Sequence, residues 1–80
     1  MSTRSEIIDE FTRVAGEHGK QLPPLADTLA LIESGLDSLC FAIIVARLED
    51  RIGVDPFTSD AILFPVTFGE FVSLYESCHQ

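Results

Sequence analysis

The chain has 80 residues, 13 acidic and 5 basic, for a formal charge of −8. Hydrophobic residues make up 46% and charged residues 22%, enough apolar side chain for folding, and a chain this short buries only about 60% of its unfolded surface. Residues 1–80 are therefore expected to form a single domain around one core, and the acidic balance disfavours nucleic acid and anionic lipid as partners while favouring basic protein patches.

The first predicted element is a helix. Thr3 and Glu6 have capping-box spacing, Ile7, Ile8, Phe11, Val14 and Ala15 recur at helical intervals, and Gly16 and Gly19 mark the end. Residues Lys20 to Asp37 do not read as a regular element, because Pro23-Pro24 forbids a helix interior. Leu22, Leu25, Leu29, Leu31 and Ile32 are nonetheless too apolar for a solvated linker, so this long loop is expected to pack across the helices. Asp37 is a good N-cap for a second helix from Leu39 to Ile52, with Ser38 in its first turn and Gly53 at its end. One stripe of that helix is Phe41, Ile44, Val45, Leu48 and Ile52, expected in the core. A second stripe, Leu39, Ala42, Ile43 and Ala46, exceeds what anchoring one helix face requires. Asp55-Pro56-Phe57-Thr58-Ser59-Asp60 is turn chemistry, and Ala61 to Phe64 predicts one short helical turn. A last helix follows Thr67 and Glu70, again at capping-box spacing, with Val66 and Phe71 at hydrophobic-staple positions and Val72, Leu74 and Tyr75 continuing the apolar side. Phe11, Phe57, Phe64, Phe68 and Phe71 read most simply as core. No segment alternates as a strand would, so the expected class is all-α, a small bundle of three main helices and one short one with a long first loop.

Cys40 and Cys78 do not make a disulfide framework, and Cys40 reads as a small buried apolar residue. The N-terminus lacks a signal core, and no apolar run reaches the ~18 residues of a membrane span. The expected compartment is the cytosol. Neither His18 nor His79 has a neighbour in sequence that implies catalysis, and no metal-ligand spacing occurs.

The stretch Glu33-Ser34-Gly35-Leu36-Asp37-Ser38-Leu39 carries the chemistry. It sets a serine hydroxyl at the positive end of a long helix, after a glycine-containing turn. A phosphate ester there is stabilised by free backbone amides and the helix dipole. Taken from the residues alone, an ordinary capping serine explains Ser38 somewhat better.

Gly35-Leu36-Asp37-Ser38-Leu39 resembles the attachment motif of acyl and peptidyl carrier proteins. The resemblance extends to the length, the acidic charge, the order of helices and loop, and the serine at the start of the second helix. It implies that a phosphopantetheinyl transferase moves 4′-phosphopantetheine from coenzyme A onto Ser38, covalently, and that Asp37 assists through the transferase's magnesium ion. It implies a carrier and not an enzyme, holding an acyl or aminoacyl group as a thioester and presenting it to partners.

In this family the second helix is the main recognition surface, which here means Leu39, Ala42, Ile43 and Ala46, with Glu49 and Asp50 further along. Fatty-acid carriers place acidic residues soon after the serine. Here Cys40-Phe41-Ala42-Ile43 is uncharged, and Arg47 and Arg51 flank Glu49 and Asp50. The departure favours an amino acid loaded by a dedicated adenylating ligase and passed to a downstream transferase, over a fatty-acid or polyketide chain. The competing role for the second stripe is packing beneath the long loop, at even weight for Ile43. Met1 and the end soon after the last helix suggest a stand-alone monomer. An unmodified helical adaptor is the rival from another class. A serine hydrolase would need a base and an oxyanion hole that the sequence does not offer.

Overall fold

The chain runs as α1 (Thr3–Glu17), a 3-10 turn (Leu31–Glu33), α2 (Ser38–Ile52) and α3 (Phe68–Cys78) in a computed structural model that describes residues 2–53, 56 and 65–78. The class is the expected all-α bundle. Among the described residues the only strand-like pairing is one antiparallel bridge between Ala30 and Thr67. The short helix expected at Ala61 to Phe64, the core places of Phe57 and Phe64, and the turn around Pro56 fall outside the described residues, as do His79 and the side chain of Cys78.

α1 begins one residue before the expected cap. Ser2 is the N-cap, its hydroxyl oxygen accepting the Ser5 amide at 3.1 Å. Ser2 and Thr3 are both competent caps, and the extended backbone at Ser2 (φ −83°, ψ 156°) lets the earlier one act. Ile7, Phe11, Val14 and Ala15 are buried as predicted. So is Glu10, a charged residue that stands between the apolar positions of the helix.

α2 starts and stops where its sequence signals stand, with Asp37 as N-cap and Gly53 closing the last turn. Ile44 and Leu48 are fully buried, and Phe41, Val45 and Ile52 pack half-buried against the same core. Cys40 is fully buried with them. The rings of Phe41, Phe68 and Phe71 surround Phe11 edge-on, at centroid separations of 6.2, 5.2 and 5.2 Å. Such edge-to-face packing adds to the area these rings bury.

Two arginines fasten α2 to α1. The Arg51 guanidinium donates to Asp9 at 2.7 Å and to Glu10 at 3.0 Å. Arg47 donates to both Glu17 oxygens, at 2.7 and 3.2 Å. Glu10 has a side chain only 8% exposed, and a buried carboxylate persists only when paired.

The long loop is tied to α3 by backbone. Phe68 N–H donates to Leu29 O at 2.9 Å and Gly69 N–H to Asp27 O at 3.1 Å. These bonds satisfy first-turn amides that a helix start leaves open. The Thr67–Glu70 capping box forms as predicted: Thr67 Oγ1 accepts the Glu70 amide at 3.2 Å and Glu70 Oε1 accepts the Thr67 amide at 3.1 Å. Leu31 and Leu36 are buried, and Leu22, Leu25 and Leu29 pack half-buried, so the leucines hold the loop down as expected.

Two expectations for this region fail. Ile32 is 91% exposed, because successive residues of a 3-10 turn point about 120° apart and Leu31 takes the inward direction. Val66 is 67% exposed while Phe71 is fully buried. The staple's outer half therefore stays in solvent, and Val66 instead accepts the Leu31 amide through its carbonyl at 2.8 Å.

Candidate functional site around Ser38

The turn before α2 is built by Ser34 and Gly35. Ser34 is fully buried, its hydroxyl donating to Leu31 O at 2.6 Å and accepting the Leu36 amide at 3.4 Å. Gly35 has φ +86°, and a Cβ there would stand 3.3 Å from Gln21 O. A left-handed conformation against another backbone is a glycine position. The turn thus delivers Leu36 to the core and Asp37 to the cap.

Asp37 adopts extended backbone, and its Oδ1 accepts the Cys40 amide at 2.9 Å. That hydrogen bond holds the Asp37 carboxyl below the ordinary carboxylate range, and the Lys20 ammonium acts in the same direction. Lys20 Nζ lies 4.0 Å from Asp37 Oδ2. One oxygen is committed to the cap, while the other faces solvent and the lysine.

Ser38 is the first residue of α2 and is exposed. Its hydroxyl makes no hydrogen bond to any described residue. The cap is made by Asp37, so the ordinary capping role that the residues alone favoured for Ser38 is already filled. The hydroxyl opens on an apolar groove of about 430 Å³, with Leu31, Leu36 and Phe41 beneath and Ile32, Pro65 and Val66 around it.

A 4′-phosphopantetheine group fits these residues in the one respect they decide. The attachment hydroxyl is accessible, hydrogen-bond-free and seated where a phosphodiester charge meets the first-turn amides of α2. Among the described residues no catalytic base stands in hydrogen-bond contact with Ser38. Among the described residues no group of three or more His, Cys, Asp or Glu side chains is placed to hold a metal ion. No described helix is long and apolar enough to cross a membrane.

The residues expected to meet partners divide. Leu39 is 60% exposed, and Ala42, Ala46, Glu49 and Asp50 are exposed as well. Packing beneath the long loop is thereby overturned for Leu39, Ala42 and Ala46. Ile43 is half-buried and touches the core, so it serves the fold in part. Arg47 and Arg51, which flank Glu49 and Asp50 in sequence, turn away to α1. Glu49 and Asp50 have no basic partner among the described residues, and this end of α2 is acidic on its outer side.

Four contributors near Ser38 were not visible in the sequence. Ser34 lies in the motif but looked like any loop serine. Ile32 and Val66 looked like core residues, because apolar character alone does not tell an inward side chain from an outward one. Lys20 lies 17 residues before Asp37, and no local spacing joins them.

No protein family, curated protein or solved structure matches this chain.

Proposed function

We propose that this protein is a carrier that bears a 4′-phosphopantetheine arm on Ser38. The observation that carries the reading is the free, exposed Ser38 hydroxyl on the first turn of a 15-residue helix whose cap is supplied by its neighbour Asp37. The carrier-like motif Gly35-Leu36-Asp37-Ser38-Leu39 supports it. The arm, when attached, supplies a thiol that holds an acyl or aminoacyl group as a thioester.

The chain's own residues position and present. Gly35 and Ser34 fix the turn, Asp37 fixes the first residue of α2, and Ser38 then projects from a rigid element into solvent. The helix start offers open amides and a positive dipole end to a phosphodiester. Asp37 keeps its charge to low pH and leaves Oδ2 outward for a transferase-bound magnesium ion. A tether at one fixed point raises the concentration of cargo at each partner's active site. The protein needs no base of its own, because the transferase and ligase bring the chemistry.

We propose an amino acid as cargo, loaded by an adenylating ligase. Support comes from the uncharged, exposed start of α2 at Leu39 and Ala42, where a fatty-acid carrier would offer acidic side chains to its partners. The reading is tested by incubating the protein with coenzyme A and a broad-specificity phosphopantetheinyl transferase. Intact mass should rise by one phosphopantetheine for the wild type and not at all for Ser38→Ala. A wild type left unmodified by several such transferases would sink the carrier reading.

A further inference from the structure

The chain has one lysine, Lys20, beside four arginines. Every arginine is drawn to a carboxylate of α1 or of the long loop. Arg47 holds Glu17 and Arg51 holds Asp9, each at 2.7 Å. Arg13 holds Asp9 at 3.2 Å and Arg4 holds Asp27 at 2.8 Å. Lys20 stands apart from these. Its Nζ lies 4.0 Å from Oδ2 of Asp37, the residue before Ser38. That is an ion pair beyond hydrogen-bond length, and both side chains reach solvent.

Three features of the fold put this lysine there. The pairs Arg47–Glu17 and Arg51–Asp9 run α2 antiparallel to α1, so the end of α1 lies beside the start of α2. The Lys20 amide donates to Ala15 O at 2.8 Å, over a Gly19 with φ +67°. This closure of α1 fixes the lysine's backbone at the helix end. The next residue, Gln21, sets its carbonyl oxygen 3.3 Å from where a Gly35 Cβ would stand. The bare glycine thus lets the chain after Lys20 pack against the turn that delivers Asp37 and Ser38.

An arm on Ser38 changes the charge at this place. Its phosphodiester sets a permanent negative charge next in sequence to the Asp37 carboxylate, in a chain already at −8. Two neighbouring anions repel. The cation that the fold supplies beside them is Lys20. A compact ammonium on a flexible stem can turn from one oxygen to another, whereas the planar fork of an arginine is suited to one fixed carboxylate.

We propose that Lys20 is the counter-ion of the arm: it pairs with Asp37 in the unmodified protein and turns to the phosphodiester once the arm is attached to Ser38, so that modification leaves the bundle as stable as before. The inference rests on the carrier reading of Ser38 and adds a residue from outside the motif.

The test is the melting temperature of the full chain at low salt, before and after attachment by coenzyme A and a broad-specificity phosphopantetheinyl transferase. Intact mass confirms each form. Attachment should move the wild type by no more than about 1 °C, and should lower Lys20→Met by about 2–5 °C, the size of a partly exposed ion pair in a domain of this length. Lys20→Arg should behave like the wild type, because it keeps the charge. Arg13→Met removes the same charge elsewhere, since Arg13 pairs with Asp9, the acid held by Arg51 at the other end of α2. It should respond to attachment like the wild type. The excess loss in Lys20→Met should shrink in about 1 M salt, where screening acts within about 3 Å. The phosphorus resonance of the attached phosphodiester should differ between wild type and Lys20→Met at low salt. A lysine that serves only the fold lowers both forms alike. Equal attachment shifts in wild type and Lys20→Met would therefore overturn the inference and leave the carrier reading standing. An equal loss in Arg13→Met would assign the effect to net charge and overturn it too. If Lys20→Met does not melt cooperatively, Lys20→Gln replaces it in the same comparison. A wild type that accepts no arm would overturn both readings.

Discussion

Ser34 and Ser38 sit four residues apart on either side of one turn and have opposite surroundings. Ser34 is sealed in and spends its hydroxyl on the Leu31 carbonyl and the Leu36 amide. Ser38 is open and uncommitted. Gly35 makes the turn between them, and Gly35→Ala should cost on the order of 1–2 kcal/mol from left-handed strain alone, read as a lower denaturant midpoint. The same turn gives a pH dependence. Asp37, Asp9 and Glu17 have carboxyls held below their ordinary range, by the Cys40 amide, by Arg51 and by Arg47 respectively. Their charged forms are favoured by folding, so their contribution is complete above the unfolded carboxylate range and is lost as pH falls through the lower folded values. Melting temperature should be level near neutrality and fall below about pH 4. Asp37→Asn, which keeps an N-cap oxygen, should flatten part of that fall. An acid limb identical to wild type would remove Asp37 from it.

At the level of the elements, the core stripe of α2 was legible because period and chemistry agree. Ile44 and Leu48 are fully buried where helical spacing put them, and Leu48→Ala should cost roughly 2–5 kcal/mol in a denaturant titration. Wild-type stability for that variant would mean that the stripe is wrongly chosen. The outer stripe needed the structure, since Ala42 and Ile43 are equally apolar in sequence but only Ile43 reaches the core. Ala42→Asp should therefore melt like wild type and still accept phosphopantetheine, yet be loaded poorly by its ligase, because the cost arises only when the carboxylate is covered by a partner. A collapsed melt would place Ala42 in the fold. The α1–α2 ion pairs were illegible for another reason. Glu10 and Arg51 are 41 residues apart, and no local pattern joins them. Arg51→Met should lower the melting temperature more than Arg13→Met, since it removes the hydrogen-bonding cation of the buried Glu10 and leaves only Arg47 Nη1 at 3.9 Å, while Arg13 serves only a surface pair. Equal effects would deny Glu10 its special place.

Across the whole molecule, one loop ties the bundle to its site. Asp27 and Leu29 give their carbonyls to the first turn of α3, and Gly69 lets the strands of backbone meet: a Cβ there would stand 2.9 Å from Asp27 Cβ and 3.0 Å from Asp27 O. The proline pair announced that the loop is irregular, and its leucines announced that it packs. Its route did not follow from composition, because the bonds that fix it are backbone bonds that any residue but proline can make. That route sets Ile32 and Val66 beside Ser38, which is why the motif was readable and its apolar surround was not. The account as a whole stands on one hydroxyl. The protein should be treated with coenzyme A and a phosphopantetheinyl transferase, cleaved with trypsin, and the peptide from Gln21 to Arg47, which contains Thr28, Ser34 and Ser38, fragmented in the mass spectrometer. The phosphopantetheine should map to Ser38 alone. Its appearance on Ser34 or Thr28, or an unmodified peptide, would contradict the assignment.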